Sequence, residues 1–249
     1  MTRDEAQRQA AVHDLVEGLI KALGPRLESV VLYGSAARGD WHAGSSDHNV
    51  AVVVTSLDAA TLEALNGPLL QWIKTHEPPP RLLTRALIAA SLDVFPVEYL
   101  DLRSHHVVLH GVDPFAGLEV RTEALRLQCE RELREKLMRL GEGYVVAHRS
   151  RRLLRALLLD SYTSFVALFR GCLALWGETP PPAAADVAAA FCARAGIDPA
   201  PFAGLDRLRR GASEAPRDLK TLFSGYYDAL NRAVETVDGY RAPAGGETR

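Results

Sequence analysis

A chain of 249 residues, 47% hydrophobic and 24% charged, has the material for one large core or two small ones. Its net charge of −2 excludes a global basic field, so nucleic acid is not an expected partner. The polar first ten residues are no signal peptide, and no uninterrupted apolar run reaches about 18 residues, so a cytoplasmic chain without a membrane span is expected.

Residues 4–23 read as an amphipathic helix, with Ala11, Leu15, Leu19 and Leu23 on one face and Gly24-Pro25 ending it. Residues 28–33 and 49–55 read as strands. The second, nearly all apolar, is expected to be covered on both faces. A helix over 58–76 is entered at Ser56 or Asp58 and lost before Pro78 to Pro80. A short strand at 81–84 and a short helix at 85–92 follow. Residues 94–102 read as a further strand, with Pro96 near its start, where a missing N–H is tolerated. No convincing strand follows Leu118. Helices are expected at 121–147, 151–176, 183–195, 202–210 and 216–238, with a proline-closed loop at 177–182. The chain is therefore α+β. An α/β half over 1–112 precedes an all-helical bundle over 113–241 and a disordered tail over 242–249.

The chemistry gathers between the first two strands. The run Val30-Val31-Leu32-Tyr33 leads into Gly34-Ser35, a polar loop with Arg38 follows, and Asp47 stands at the lip of the next strand. Glycine after a strand lets backbone approach a ligand, and the serine hydroxyl and turn N–H groups suit phosphate. Neither GxxxxGK[ST] nor GxGxxG is present. Asp47 comes twelve positions after Ser35, and residues 47 and 49 project from one face of the strand. A two-metal phosphoryl-transfer site wants carboxylates at both, with a third on a neighbouring strand. Residue 49 is Asn, a neutral ligand where a full charge is wanted.

These residues resemble the Gly-Ser, Asp-x-Asp signature of the DNA polymerase beta-like nucleotidyltransferase superfamily, in particular its small bacterial and aminoglycoside-modifying members. The resemblance is specific over about residues 28–55 and architectural elsewhere. It implies a small mixed-sheet nucleotidyltransferase domain followed by an all-α bundle. It implies that Gly34 and Ser35, with Arg38, contact a nucleoside triphosphate, with ATP the first choice. Asp47, weakly Asn49, and a later carboxylate would hold Mg²⁺ at a weakened site. Glu98, in Pro96-Val97-Glu98-Tyr99, is the candidate for that carboxylate, as metal ligand or base. Asp101, three positions on, is expected to face the other side of a strand. The implied reaction moves a nucleoside monophosphate from Mg-NTP to a hydroxyl of a small molecule or protein.

Asn49 opens one alternative, a catalytically weakened nucleotide-binding or regulatory protein of the same fold; the helical bundle leaves another, a partner-binding module of antitoxin type. Homo-oligomerisation is left open. His105, His106 and His110 have a metal-like spacing without a firm fourth ligand and read as partly exposed histidines. Arg149, Arg151, Arg152 and Arg155 read as a solvated helix start. Cys129, Cys172 and Cys192 are far apart, lack metal spacing, and are expected as buried free thiols.

Overall fold

The computed structural model describes residues 3–38, 48–213 and 216–241, and of residues 3–8, 35 and 38 it describes the backbone alone. By contacts the chain divides into two compact units. One is Met1–Leu92 with Glu98–Glu119, and the other is Asp93–Val97 with Val120–Arg249.

The first unit is built on a four-stranded sheet in the order β3-β2-β1-β4. Its strands are β1 (Leu27–Tyr33), β2 (Asn49–Val54), β3 (Arg81–Leu83) and β4 (His106–Gly111). β1 pairs antiparallel with β2 and β4, and β2 pairs parallel with β3, so the sheet is mixed. Helices α1 (Arg3–Leu23) and α3 (Ala59–Ile73) cover one face. There Leu15, Leu19, Leu23, Leu65 and Trp72 pack on Val30, Val50, Val52 and Val54. The helices supply apolar side chains at i, i+4 spacing and β2 supplies every second residue. The intervening residues Ala51 and Val53 are equally buried, so β2 is covered on both faces as its sequence requires. Asp58 caps α3 by accepting from the Thr61 N–H at 2.8 Å.

The four-residue helix α2 (Ser35–Arg38) follows β1, and α4 (Arg85–Ser91) follows β3. The segment expected as a strand over 94–102 is instead a helix, α5 (Pro96–Ser104). Its buried positions explain the choice. Pro96, Tyr99 and Leu100 fall at i, i+3 and i+4, and Phe95, which a strand would bury with Val97 and Tyr99, is 47% exposed. Pro96 stands at the start, where helices tolerate proline, and Arg103 lies in the last turn. The sheet's remaining strand is β4, in the stretch that reads from sequence as histidine-bearing surface and connector.

The second unit is helical: α6 (Thr122–Ala147), α7 (Arg151–Leu175), α8 (Ala184–Ala195), α9 (Ala200–Arg210) and α10 (Leu219–Asp238). All five helices match segments expected from apolar spacing. Phe169 is the hub, stacked on Phe191 with ring centroids 3.8 Å apart and edge-on to Phe202 at 5.5 Å. By length and mean hydropathy of 1.3, α7 would suffice to cross a bilayer. Its Leu154, Leu158, Phe165, Phe169 and Leu173 are buried, which makes it the core helix of this bundle. The 242–249 tail lies outside the described residues.

Candidate functional site

β1 ends at Tyr33, and the chain turns at Gly34 with φ +77°, a left-handed conformation that glycine adopts at no steric cost. The turn closes when the Ala37 N–H donates to the Gly34 carbonyl at 3.1 Å. Tyr33 is the cross-strand partner of Asn49, so their side chains share a face. The Asn49 side chain reaches the turn itself: a Cβ placed on Gly34 would lie 3.1 Å from Asn49 Nδ2. Gly34 and Asn49, fifteen positions apart in sequence, thus form one corner. Asp47 lies outside the described residues, as do the side chains of Ser35 and Arg38.

The face that carries Asn49 is the one opposite α1 and α3. Pairing extends it from Asn49 and Ala51 on β2 to Arg81 and Leu83 on β3, because Arg81 pairs with Ala51 and Leu83 with Val53. On the other side it reaches His106 of β4, the partner of Tyr33. Arg81 is solvent-exposed and has no salt-bridge partner among the described residues. Its guanidinium nevertheless acts on this face. Burial raises the Tyr33 phenol above its ordinary value, Arg81 pulls it down, and Asp101 pushes it up. Burial likewise raises Tyr99, with the Ser91 hydrogen bond and Arg81 lowering it and Glu98 raising it.

Glu98 therefore stands on a helix rather than on a strand, and this corrects the expectation for Asp101 as well. Residues three apart on a helix share a side, so Glu98 and Asp101 lie on one side of α5 instead of on opposite sides of a strand. Asp101 acts on Tyr33 and lies 3.7 Å from His105 Nδ1. His106 Nε2 is 3.0 Å from Asp113 Oδ1, and Asp113 in turn accepts from the Phe115 N–H at 2.8 Å. Among the described residues, no three His, Cys, Asp or Glu side chains gather to hold a metal. In the second unit, Arg151 donates to the Arg217 carbonyl at 2.6 Å and Arg155 to the Leu208 carbonyl at 3.3 Å.

Sequence reading missed two features. One is Arg81. The other is a buried anchor beneath the start of β2, where the Glu77 carboxylate accepts from the His48 N–H at 2.7 Å and lies 3.3 Å from His48 Nδ1. Glu77 is 4% exposed. It is delivered by the strap after α3, where Trp72 Nε1 donates to the Pro78 carbonyl at 2.7 Å and His76 turns the chain at φ +65°. Glutamate before a proline run, and after Lys74, Thr75 and His76, looks solvated, so no local pattern marked it.

No protein-family profile matches the sequence, and no curated protein sequence matches it either. Its fold does match. A crystal structure of spectinomycin adenyltransferase AAD(9) from Enterococcus faecialis, with ATP and spectinomycin, aligns with a TM-score of 0.57. The alignment covers 92% of this chain and 99% of that one at 11% identity. This chain has the polymerase beta-like nucleotidyltransferase fold. The fold implies divalent metal; Asn49 and Arg81 do not fit it, and Asp47, the carboxylate expected to ligate it, lies outside the described residues. Asn49 offers a neutral amide, the next strand offers the cation Arg81 on the same face, and Glu98 sits on a helix.

Proposed function

We propose that this chain binds the triphosphate of a nucleoside triphosphate, ATP in the first instance, at the turn that closes β1. The observation that carries the reading is the contact of the Asn49 amide with the left-handed Gly34 turn on a nucleotidyltransferase fold. The Gly34 turn presents its backbone to a phosphate beside the Asn49 amide, and the Ser35 hydroxyl and Arg38 follow it in sequence as further phosphate ligands. A neutral amide at 49 lowers the anionic repulsion that two carboxylates would exert on a bare triphosphate.

The test is isothermal titration calorimetry of the four nucleoside triphosphates against the full chain. Saturable binding of at least one, weakened by Gly34→Val, is expected. Absence of heat with all four, in the presence and absence of Mg²⁺, sinks the reading.

A second reading, transfer of a nucleoside monophosphate to a small-molecule hydroxyl, is favoured by Glu98 and Asp101 on one side of α5. A carboxylate there would take the proton of the acceptor hydroxyl as its oxygen bonds to the α-phosphorus and pyrophosphate leaves. The aligned adenyltransferase was crystallised with ATP and spectinomycin, which makes a hydroxyl-rich small molecule the first acceptor class to try. Incubation with α-labelled ATP and such acceptors should give a labelled adduct that Glu98→Gln and Asp101→Asn abolish. Binding without any adduct would leave the weakened, regulatory alternative in place of transfer.

A further inference from the structure

We propose that Arg81 serves this site as its resident cation, so that the triphosphate is bound without a divalent metal. The inference rests on the nucleotide-binding reading and adds to it how the phosphate charge is neutralised.

Three observations meet here. First, the strand beside β2 carries an arginine, and pairing of Arg81 with Ala51 puts its Cα one residue pair along from Asn49 on the same face. Second, Tyr33 of β1 stands on that face within electrostatic reach of the guanidinium. The guanidinium lowers the phenol of Tyr33, which is the cross-strand partner of Asn49 and the residue before Gly34. Third, Arg81 is exposed and has no salt-bridge partner among the described residues, whereas the nearby Arg85 is committed to Glu28 at 2.8 Å. An arginine held by a strand at the edge of the face, with its five donors unspent on a carboxylate, matches a phosphate in charge and in fork geometry.

Direct binding by Arg81 and binding through a metal pair differ in the charge each wants on this face. A metal pair at the β2 lip needs anionic ligands around it, and a guanidinium within reach of the same face repels divalent cations. Asn49 and Arg81 differ from a carboxylate site in the same direction, since each removes negative charge from the face. Asn49 contributes a neutral amide whose N–H can donate to a phosphate oxygen, and Arg81 contributes the positive charge. Together they replace metal-bridged phosphate binding by direct hydrogen bonding to side chains.

The experiment is calorimetric titration of ATP, and of inorganic tripolyphosphate, into the full chain with EDTA and separately with excess Mg²⁺. It is run on the wild type, Arg81→Ala and Arg81→Lys. Binding in EDTA at least as tight as in Mg²⁺ is expected for both probes. Arg81→Ala is expected to weaken it at least about tenfold, with Arg81→Lys between the two. Because Arg81 is exposed, thermal unfolding of the variants should match the wild type. Binding of ATP only when Mg²⁺ is present would overturn the metal-free assignment while leaving the nucleotide reading intact. Binding in EDTA that Arg81→Ala leaves unchanged would overturn the role of Arg81. Absence of binding under both conditions would overturn both readings together.

Discussion

At the scale of single residues, Asn49 and Glu77 do opposite work at the two sides of one strand start. The Asn49 amide faces the Gly34 turn, and in the proposed site it sets the charge that a nucleotide meets. Replacing it by aspartate changes one atom and one unit of charge. In EDTA, Asn49→Asp is expected to weaken ATP binding about tenfold or more, because a bare triphosphate then meets a carboxylate. Mg²⁺ should recover part of the loss by bridging the two. Titration of the variant with and without the metal reads both effects, and an unchanged affinity would remove residue 49 from the site. Glu77 acts from beneath. Its carboxylate accepts the buried His48 N–H at the entry to β2. Glu77→Leu removes that acceptor and should cost about 1–3 kcal/mol in urea unfolding. Glu77→Gln, which keeps an acceptor oxygen, should recover most of the stability. Nucleotide affinity is expected to fall in Glu77→Leu even at temperatures where the chain is fully folded, because residues 47 and 49 flank the anchored residue.

At the scale of elements, periodicity was sufficient wherever one face of a segment is buried and the other is not. The helices α1, α3 and α6 to α10, and the strands β1 and β2, lie where apolar spacing puts them, to within a residue or two at most ends. The misreading at 94–102 arose in a short apolar run, where periods of 2 and 3.6 cannot be told apart over so few residues. The consequence propagated to the site. A strand would have separated Glu98 from Asp101, and a helix puts them on one side. Arg81 was hidden for a different reason. Its own strand was foreseen, but the sheet order that brings β3 beside β2 is a long-range pairing that no local pattern encodes. The corner at Gly34 and Asn49 was legible because a turn and the strand after it are near in sequence.

The helix caps give a prediction at this same scale. The Asp58 carboxyl is held below the usual carboxylate range by the Thr61 backbone N–H and then by the Ser56 hydroxyl. Asp218 is held low by the Thr221 hydroxyl and then by the Thr221 and Lys220 backbone N–H groups. A folded-state value below the unfolded one means that the capping contribution is fully present above the ordinary aspartate value, about 3.9. It is lost as the pH falls through the lower folded value. Asp58→Ala and Asp218→Ala should therefore melt below the wild type at pH 7. The difference should close as the buffer is taken to about pH 2, where the wild-type caps are protonated as well. A difference that persists undiminished in acid would mean that packing, not capping, accounts for the loss.

At the scale of the whole molecule, the two units should respond differently to alkali. All three cysteines lie in the helical unit and are buried and free. The hydrogen bond that the Cys172 thiol donates to Cys129, and then burial, raise that thiol well above its ordinary value, and burial pushes Cys192 up to about 12. In the same unit, burial pushes Tyr162 up to about 12 and Tyr226 further in that direction. These groups keep their protons when folded and lose them on unfolding at about 8.5 for a thiol and about 10 for a phenol. A raised folded value stabilises fully below the unfolded one, and that contribution is lost as the pH rises past it. Each such group subtracts about 1.4 kcal/mol per pH unit between its two values. The first unit has Tyr33 and Tyr99 raised but no cysteine at all. The urea midpoint of the helical unit should therefore fall steeply from pH 8 to pH 10, earlier in pH than that of the sheet-bearing unit. Thiol labelling measures it selectively: no modification is expected in the native chain at pH 8, and three thiols per chain should react on unfolding. Titrating that labelling with urea at pH 8 and at pH 10 gives the shift directly. A midpoint that stays constant over this range, or a thiol that reacts in the native chain, would contradict the protonated, closed core from which the argument starts.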